Sequence, residues 1–249
     1  RSIKRDELIL PESVLEQIDH HTSKISLHRQ ILTARGQHLK RGLLLYGPPG
    51  TGKSMTIRHL IGIMPERTTV LLSGNSVKHL ETACGLARAL QPATVVIDDV
   101  DLVAEERSGR NANPLLFELL NQMDGVGDDA DLLFLLTTNR PEAIESAIAA
   151  RPGRIDHAVL VPLPDDDCRA RLFKLYGRGL PILLSDESAL IERTAGASAA
   201  FIREMFRKAA VYALEDGADA RIQDRHFEKA FAGLRACLTG RLFAFAADT

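Results

Sequence analysis

The chain lacks an excess of charge of either sign: Lys+Arg 31 stand against Asp+Glu 33, a formal net charge of -2. No global positive field recommends nucleic acid as a partner. Long apolar runs are missing too. None approaches the ~18 residues of a membrane-crossing helix, so no membrane span is expected. Cysteine is scarce, and Cys84, Cys168 and Cys237 are far apart and match no metal-ligand spacing. They read as thiols in a reducing compartment. With no secretory pattern at the start, a cytoplasmic location is expected. Tryptophan is absent and aromatics make up 5% of residues. What remains, 45% hydrophobic and 26% charged over 249 residues, is enough for one large core or two modest domains. The first residue is Arg1, not Met, and a further region ahead of it is expected.

The most informative stretch runs from Leu43 to Ser54. The apolar run Leu43-Leu44-Leu45 breaks into Gly47-Pro48-Pro49-Gly50-Thr51-Gly52, and Lys53-Ser54 then opens a helical pattern through Met55, Ile57, Leu60 and Ile61. Strand, glycine loop and helix in that order are the context a G-x-x-x-x-G-K-[ST] match requires. Glycines let successive backbone N–H groups turn towards phosphate oxygens, and the helix N-terminus adds partial positive charge. The whole stretch from Gly47 to Met55 is expected to bind nucleotide. Lys53 is assigned to the β- and γ-phosphates and Ser54 to Mg²⁺.

Around this loop, strand and helix patterns alternate. The apolar runs Thr69–Ser73, Thr94–Ile97, Leu132–Leu136 and Ala158–Val161 join the run at Leu43 as five strands. That alternation predicts an α/β fold: a five-stranded parallel sheet with helices on both faces. Past Pro162 and Pro164 the pattern becomes helical only, over about 166–177, 186–194, 199–215 and 224–234, with Asp186 and Asp224 as N-caps. Three segments are expected: a lead-in over 1–40, a phosphate-loop ATPase domain over 41–163, and a small all-α lid over 164–249. In the lead-in, Val14, Ile18, Ile25, Leu27, Ile31 and Leu32 form a rough helical stripe. His20-His21 point about 100° apart on a helix and read as solvent-facing.

Polar residues fall at the C-terminal ends of the apolar runs, the edge where open α/β sheets hold ligands. Asp98 follows Val95-Val96-Ile97 and is assigned, with Ser54, to Mg²⁺. Asn139 ends the next strand within reach of an attacking water or a γ-phosphate.

Together, Gly47–Ser54, Val95–Asp101, Leu132–Pro141 and Ala150-Arg151-Pro152-Gly153-Arg154-Ile155-Asp156 closely resemble the AAA+ ATPases of the classical AAA subgroup, the cell-division-control and proteasomal type, over about residues 8–235. Leu119–Gly125 resembles a helix that this family carries between its second motif and its sensor strand. The resemblance implies ATP and ADP as ligands with Mg²⁺, hydrolysis of ATP, and assembly into a ring, normally a hexamer, that remodels or disassembles a protein partner. It implies that Asn139 is the sensor-1 residue and that Arg151 and Arg154 are arginine fingers for the neighbouring subunit's nucleotide. Gly196-Ala197-Ser198-Ala199-Ala200 would form a small-residue turn near the nucleotide, and Tyr176 and the Ile9-Leu10 backbone would stand near adenine.

Two departures qualify the resemblance. Asp99 stands where the family usually has a water-polarising glutamate. Its carboxylate is one C–C bond shorter, so hydrolysis is expected to be slow unless the backbone compensates, and Asp99→Glu is expected to speed it. The run Ser73–Asp99 holds no Phe, Tyr or Trp and is shorter than usual by about two helical turns. Val77, His79 and Leu80 are the nearest candidates for a pore loop. The alternative function is a nucleotide-gated assembly module with slow hydrolysis and no processive threading.

Overall fold

A computed structural model describes residues 3–100, 118–119, 121–123, 130–141, 155–217 and 219–238. By contacts the chain divides into two compact units. The first comprises 1–8, 12–47 and 53–161, and the second 9–11, 48–52 and 162–249.

The first unit is built on five strands, β1 (Arg41–Tyr46), β2 (Thr68–Ser73), β3 (Ala93–Asp98), β4 (Leu132–Thr138) and β5 (His157–Leu160), in the order β2-β3-β4-β1-β5. All four pairings are parallel. The continuous apolar runs of β1, β3 and β4 give strands buried on both faces. Leu44, Val95, Ile97, Leu132, Phe134 and Leu136 join one core cluster with Leu80, Ala83, Cys84 and Ala87, the last four from α5 (Leu80–Ala89). The alternate residues Leu43, Leu45, Val96, Leu133 and Leu135 are equally buried and, by the period-two geometry of a strand, face the other way. Helix α4 (Lys53–Ile63) buries Ile57 and Leu60. Here the parallel α/β sheet is as the sequence implies.

The lead-in departs from its expected stripe. Helix α1 (Glu12–Asp19) buries Val14, Leu15 and Ile18, but a π-helical turn over His20–Lys24 follows and breaks the 3.6-residue phase. In α2 (Ile25–Leu27) and α3 (Arg29–Ala34), Leu27 is consequently 79% and Ile31 53% exposed. His20 is exposed as expected, but His21 is half-buried. Its ring stacks on His157 at 3.8 Å with 14° between planes, while His20 meets it edge-on at 5.1 Å.

At the N-terminal ends of the strands lies a buried charge cluster. Arg67 donates to Asp131 Oδ1 at 2.7 Å, to Thr94 Oγ1 at 3.1 Å and to the Ala93 carbonyl at 2.6 Å. Arg41 lies 3.7 Å from the same Asp131 oxygen. Burial, and then the neighbouring Arg67, depress the Arg41 guanidinium to about 10.

The second unit holds α6 (Asp166–Tyr176), α7 (Glu187–Glu192), α8 (Ala199–Asp216) and α9 (Asp224–Leu238). Asp165, Asp186 and Ser198 cap α6, α7 and α8 by accepting backbone N–H groups. Asp224 does not act as an N-cap as expected; its carboxylate takes the Ser185 N–H at 3.1 Å. A two-residue parallel pairing of Ile182–Leu183 with Ile222–Gln223 accompanies the helices, too short to leave a periodic trace in sequence. Phe173, Phe201, Phe206, Phe227 and Phe231 centre the core. Among the described residues, no helix is long and apolar enough to cross a membrane.

Candidate nucleotide site

The polar cluster of the first unit follows from strand alternation. Ile97 and Leu136 are paired in register and belong to the same core face. The next residues, Asp98 and Thr137, therefore point to the opposite face, as does Asn139 two residues on. That is the face on which Ser54 is found: its hydroxyl donates to Asp98 Oδ1 at 3.1 Å.

Lys53, 6% exposed, donates from Nζ to the Gly47 carbonyl at 2.8 Å and to Asn139 Oδ1 at 2.7 Å. Asn139 in turn donates from Nδ2 to Asp99 Oδ1 at 3.2 Å. Lys53, Asn139 and Asp99 are thus linked in one chain of hydrogen bonds. Thr137, which the sequence reading gave no role, is fully buried. Its hydroxyl donates to Asp98 Oδ1 at 2.6 Å and accepts the Asp99 N–H at 2.8 Å. The signal in the sequence was the pair Thr137-Thr138 closing an otherwise apolar strand.

Asp99 has φ 53, a left-handed conformation that costs a non-glycine residue roughly 1–2 kcal/mol and that Asp and Asn tolerate best. Continued as a strand, Asp99 would point into the core face opposite Asp98. The turn brings its carboxylate to Asn139 instead.

Gly47 has φ 140, and a Cβ there would sit 2.3 Å from the Val161 carbonyl oxygen, so glycine is obligatory. In the second unit, Gly50 has φ 75 and its carbonyl accepts the Ala200 N–H at 3.0 Å. A Cβ on Gly50 would meet Ala200 Cβ at 2.8 Å and Ser198 Oγ at 2.9 Å. Thr51 is buried and its hydroxyl donates to the Pro48 carbonyl at 3.0 Å. Small residues at 198 and 200 are needed for this close approach. Ile9 and Tyr176 pack against the core of the second unit, and burial raises the Tyr176 phenol.

The donor set suits a magnesium ion. Ser54 and Asp98 present a hydroxyl and a carboxylate oxygen side by side, hard ligands of the kind Mg²⁺ takes one or two at a time, leaving the rest to phosphate and water. Among the described residues no group of three His, Cys, Asp or Glu could hold a metal. Arg151 and Arg154 lie outside the described residues, as do 120, 124 and 125 of the 119–125 stretch, of which Leu119 and Met123 are buried in the core of the first unit.

The pore-loop candidates are corrected by the structure. A 3₁₀ segment, Gly74–His79, runs directly into α5. Val77 and Leu80 are fully buried members of the core beneath β2 and β3, because a segment this short has no slack to project a loop. His79 is exposed.

Residues 43–163 match the family model described as ATPase family associated with various cellular activities (AAA). The chain is 34% identical to the human "ATPase family gene 2 protein homolog A", over 82% of this chain and 24% of that protein. It is 32% identical to the "Cell division cycle protein 48 homolog" of Archaeoglobus fulgidus, over 80% of this chain and 31% of that protein. To the "Proteasome-activating nucleotidase" of Pyrococcus horikoshii it is 29% identical, over 76% of this chain and 51% of that protein. The chain thus spans about a quarter to a half of the length of these relatives. On the match across its phosphate-loop domain and these relatives, the chain belongs to the AAA family of ATPases, in its classical branch.

Proposed function

We propose that this chain binds ATP and hydrolyses it to ADP and phosphate. The observation that carries this reading is the bonded series Lys53–Asn139–Asp99 beside the Ser54–Asp98 pair. Gly47–Met55 bind the phosphates, and Lys53 exchanges its present acceptors for phosphate oxygens. Ser54 and Asp98 are the residues that would hold Mg²⁺, which neutralises phosphate charge when bound. Asn139 orients the attacking water and Asp99 takes its proton as the water oxygen bonds to the γ-phosphorus and the bond to the β–γ bridging oxygen breaks.

Assembly into a head-to-tail ring, a hexamer in its simplest form, supplies Arg151 and Arg154 of one subunit to the nucleotide of the next. A protein partner or adaptor is the object of the work, within the cytoplasm. The relatives' printed names, cell division cycle and proteasome activation, support a protein partner. The test is ATP turnover of the wild type, Lys53→Ala and Arg154→Ala measured across protein concentration. Turnover per chain should rise with assembly in the wild type alone. A concentration-independent rate, equal in Arg154→Ala, rules out the shared site.

The second reading is a nucleotide-gated assembly module that binds its partner without threading it. It is favoured by the burial of Val77 and Leu80, which leaves that segment no apolar grip on a polypeptide. Turnover stimulated by an unfolded protein substrate separates the two.

A further inference from the structure

The geometry points to Thr137 as a positioning residue that sets where the Asp99 carboxylate stands, through the left-handed turn at Asp99. This rests on the reading of Asp99 as the group that takes the water's proton. A residue following Asp98 in regular extension faces away from Ser54, Lys53 and Asn139, into the core cluster on the other side of the sheet. Asp99 is brought back by its φ of 53, to within 3.2 Å of Asn139. A backbone in that region needs something to hold it. Thr137 provides the hold, because its one hydroxyl proton goes to Asp98 Oδ1 at 2.6 Å and leaves its lone pairs for the Asp99 N–H at 2.8 Å.

This arrangement also answers the shortened side chain. The reach lost with one methylene is made up by the main chain, and the short carboxylate is the one that a left-handed turn accepts best. Thr137 fixes two carboxylates at once, one belonging to the Mg²⁺ site and one to the proton acceptor.

The test compares Thr137→Val, which keeps the shape and removes the hydroxyl, with Thr137→Ser, which restores it. Two readouts are taken: hydrogen exchange at the Asp99 amide in nucleotide-free protein, and kcat against KM for ATP. In Thr137→Val the Asp99 amide should exchange at least tenfold faster, kcat should fall at least tenfold, and KM should stay within about threefold. Thr137→Ser should recover both readouts to within about threefold. Unchanged exchange at Asp99 overturns the inference, as does faster exchange with unchanged kcat. Equal loss of kcat in Thr137→Ser also overturns it, since a packing defect would then be the cause. A wild type that binds ATP and hydrolyses none defeats the hydrolase reading, and with it the assignment of Thr137 to turnover, even where the amide result stands.

Discussion

Lys53 Nζ lies 2.7 Å from Asn139 Oδ1, joining two residues 86 positions apart across the C-terminal edge of the sheet. Each serves a different stage of the proposed reaction, so their variants should separate. Lys53→Ala removes a charged donor to phosphate, a contact worth about 1.5–3 kcal/mol. ATP affinity should fall about tenfold to a hundredfold, read by titration with a fluorescent ATP analogue. Asn139→Ala leaves the lysine in place, so affinity should hold within about threefold while turnover drops about tenfold or more. Equal affinity losses in the two variants would contradict this division.

Asp99 separates binding from turnover more sharply. Asp99→Asn keeps the size and the tolerance for a left-handed turn but removes the proton acceptor. Turnover should fall about 10²–10⁴-fold with ATP still bound, measured by phosphate release and by nucleotide titration. The structure revises the expectation for Asp99→Glu. Glutamate regains the methylene but is less at home at φ 53, so turnover should not rise. An increase beyond about tenfold would show that carboxylate reach, and not the turn, limits the rate.

That revision marks where sequence reading reached its limit. Local signals carried the parallel sheet: runs such as Val95-Val96-Ile97 and Leu132–Leu136 have a hydrophobic pattern that forces a strand buried on both faces. The meeting of Ser54 with Asp98 at 3.1 Å was legible because the phosphate-loop motif and the acidic residue after a buried strand each fix a place at the same sheet edge. The left-handed angle at Asp99 has no such signal, since it depends on a hydroxyl 38 residues away on another strand. Leu27 and Ile31 were misjudged because one π-helical turn shifts the phase of everything after it. The His21–His157 stack and the Arg67–Asp131 pair join residues that only the finished sheet brings together.

Gly50 is constrained by conformation and by space at once. With φ 75 and a prospective Cβ 2.8 Å from Ala200 Cβ, Gly50→Ala should destabilise the protein by about 1–3 kcal/mol, seen as a lower thermal midpoint. Gly36, at φ 68 with nothing within 4 Å of its prospective Cβ, isolates the conformational part, so Gly36→Ala should cost less. Adding Ala200→Gly to Gly50→Ala should recover part of the loss. No recovery would place the whole cost in the backbone.

The stacked histidines predict a pH dependence. Burial first, then the charges of His157 and His20, hold His21 below its ordinary value of 6.5, against an opposing pull from Asp156. The unfolded chain therefore takes up this proton more readily than the folded one. The stability that follows is fully present above about pH 6.5 and is lost as pH falls through the lower folded value. NMR titration should find His21 below 6.5 in the folded protein. In His157→Gln it should move part of the way up, because the burial remains. A His21 that titrates at or above 6.5 would remove the repulsion argument.

Asp131 offers the largest expected effect on stability. It is the carboxylate shared by Arg67 at 2.7 Å and Arg41 at 3.7 Å, and both guanidiniums are almost completely buried. Arg67 also ties β2's approach to β3 and β4 through Thr94 and the Ala93 and Asp131 carbonyls. Removing the anion leaves two buried cations facing one another, and breaking a buried pair in this way costs about 3–5 kcal/mol. Asp131→Ala should therefore lower the urea midpoint far more than the exposed-pair variant Glu204→Ala, whose partner Arg207 lies on the surface and whose loss should stay within about 1 kcal/mol. The double variant Asp131→Ala with Arg67→Met should recover stability, because it removes a stranded charge and keeps an apolar stem in its place. If the double variant is less stable than Asp131→Ala alone, the hydrogen bonds of Arg67 to Thr94 and the carbonyls outweigh the charge imbalance, and the cluster serves as a clamp between strands more than as an ion pair.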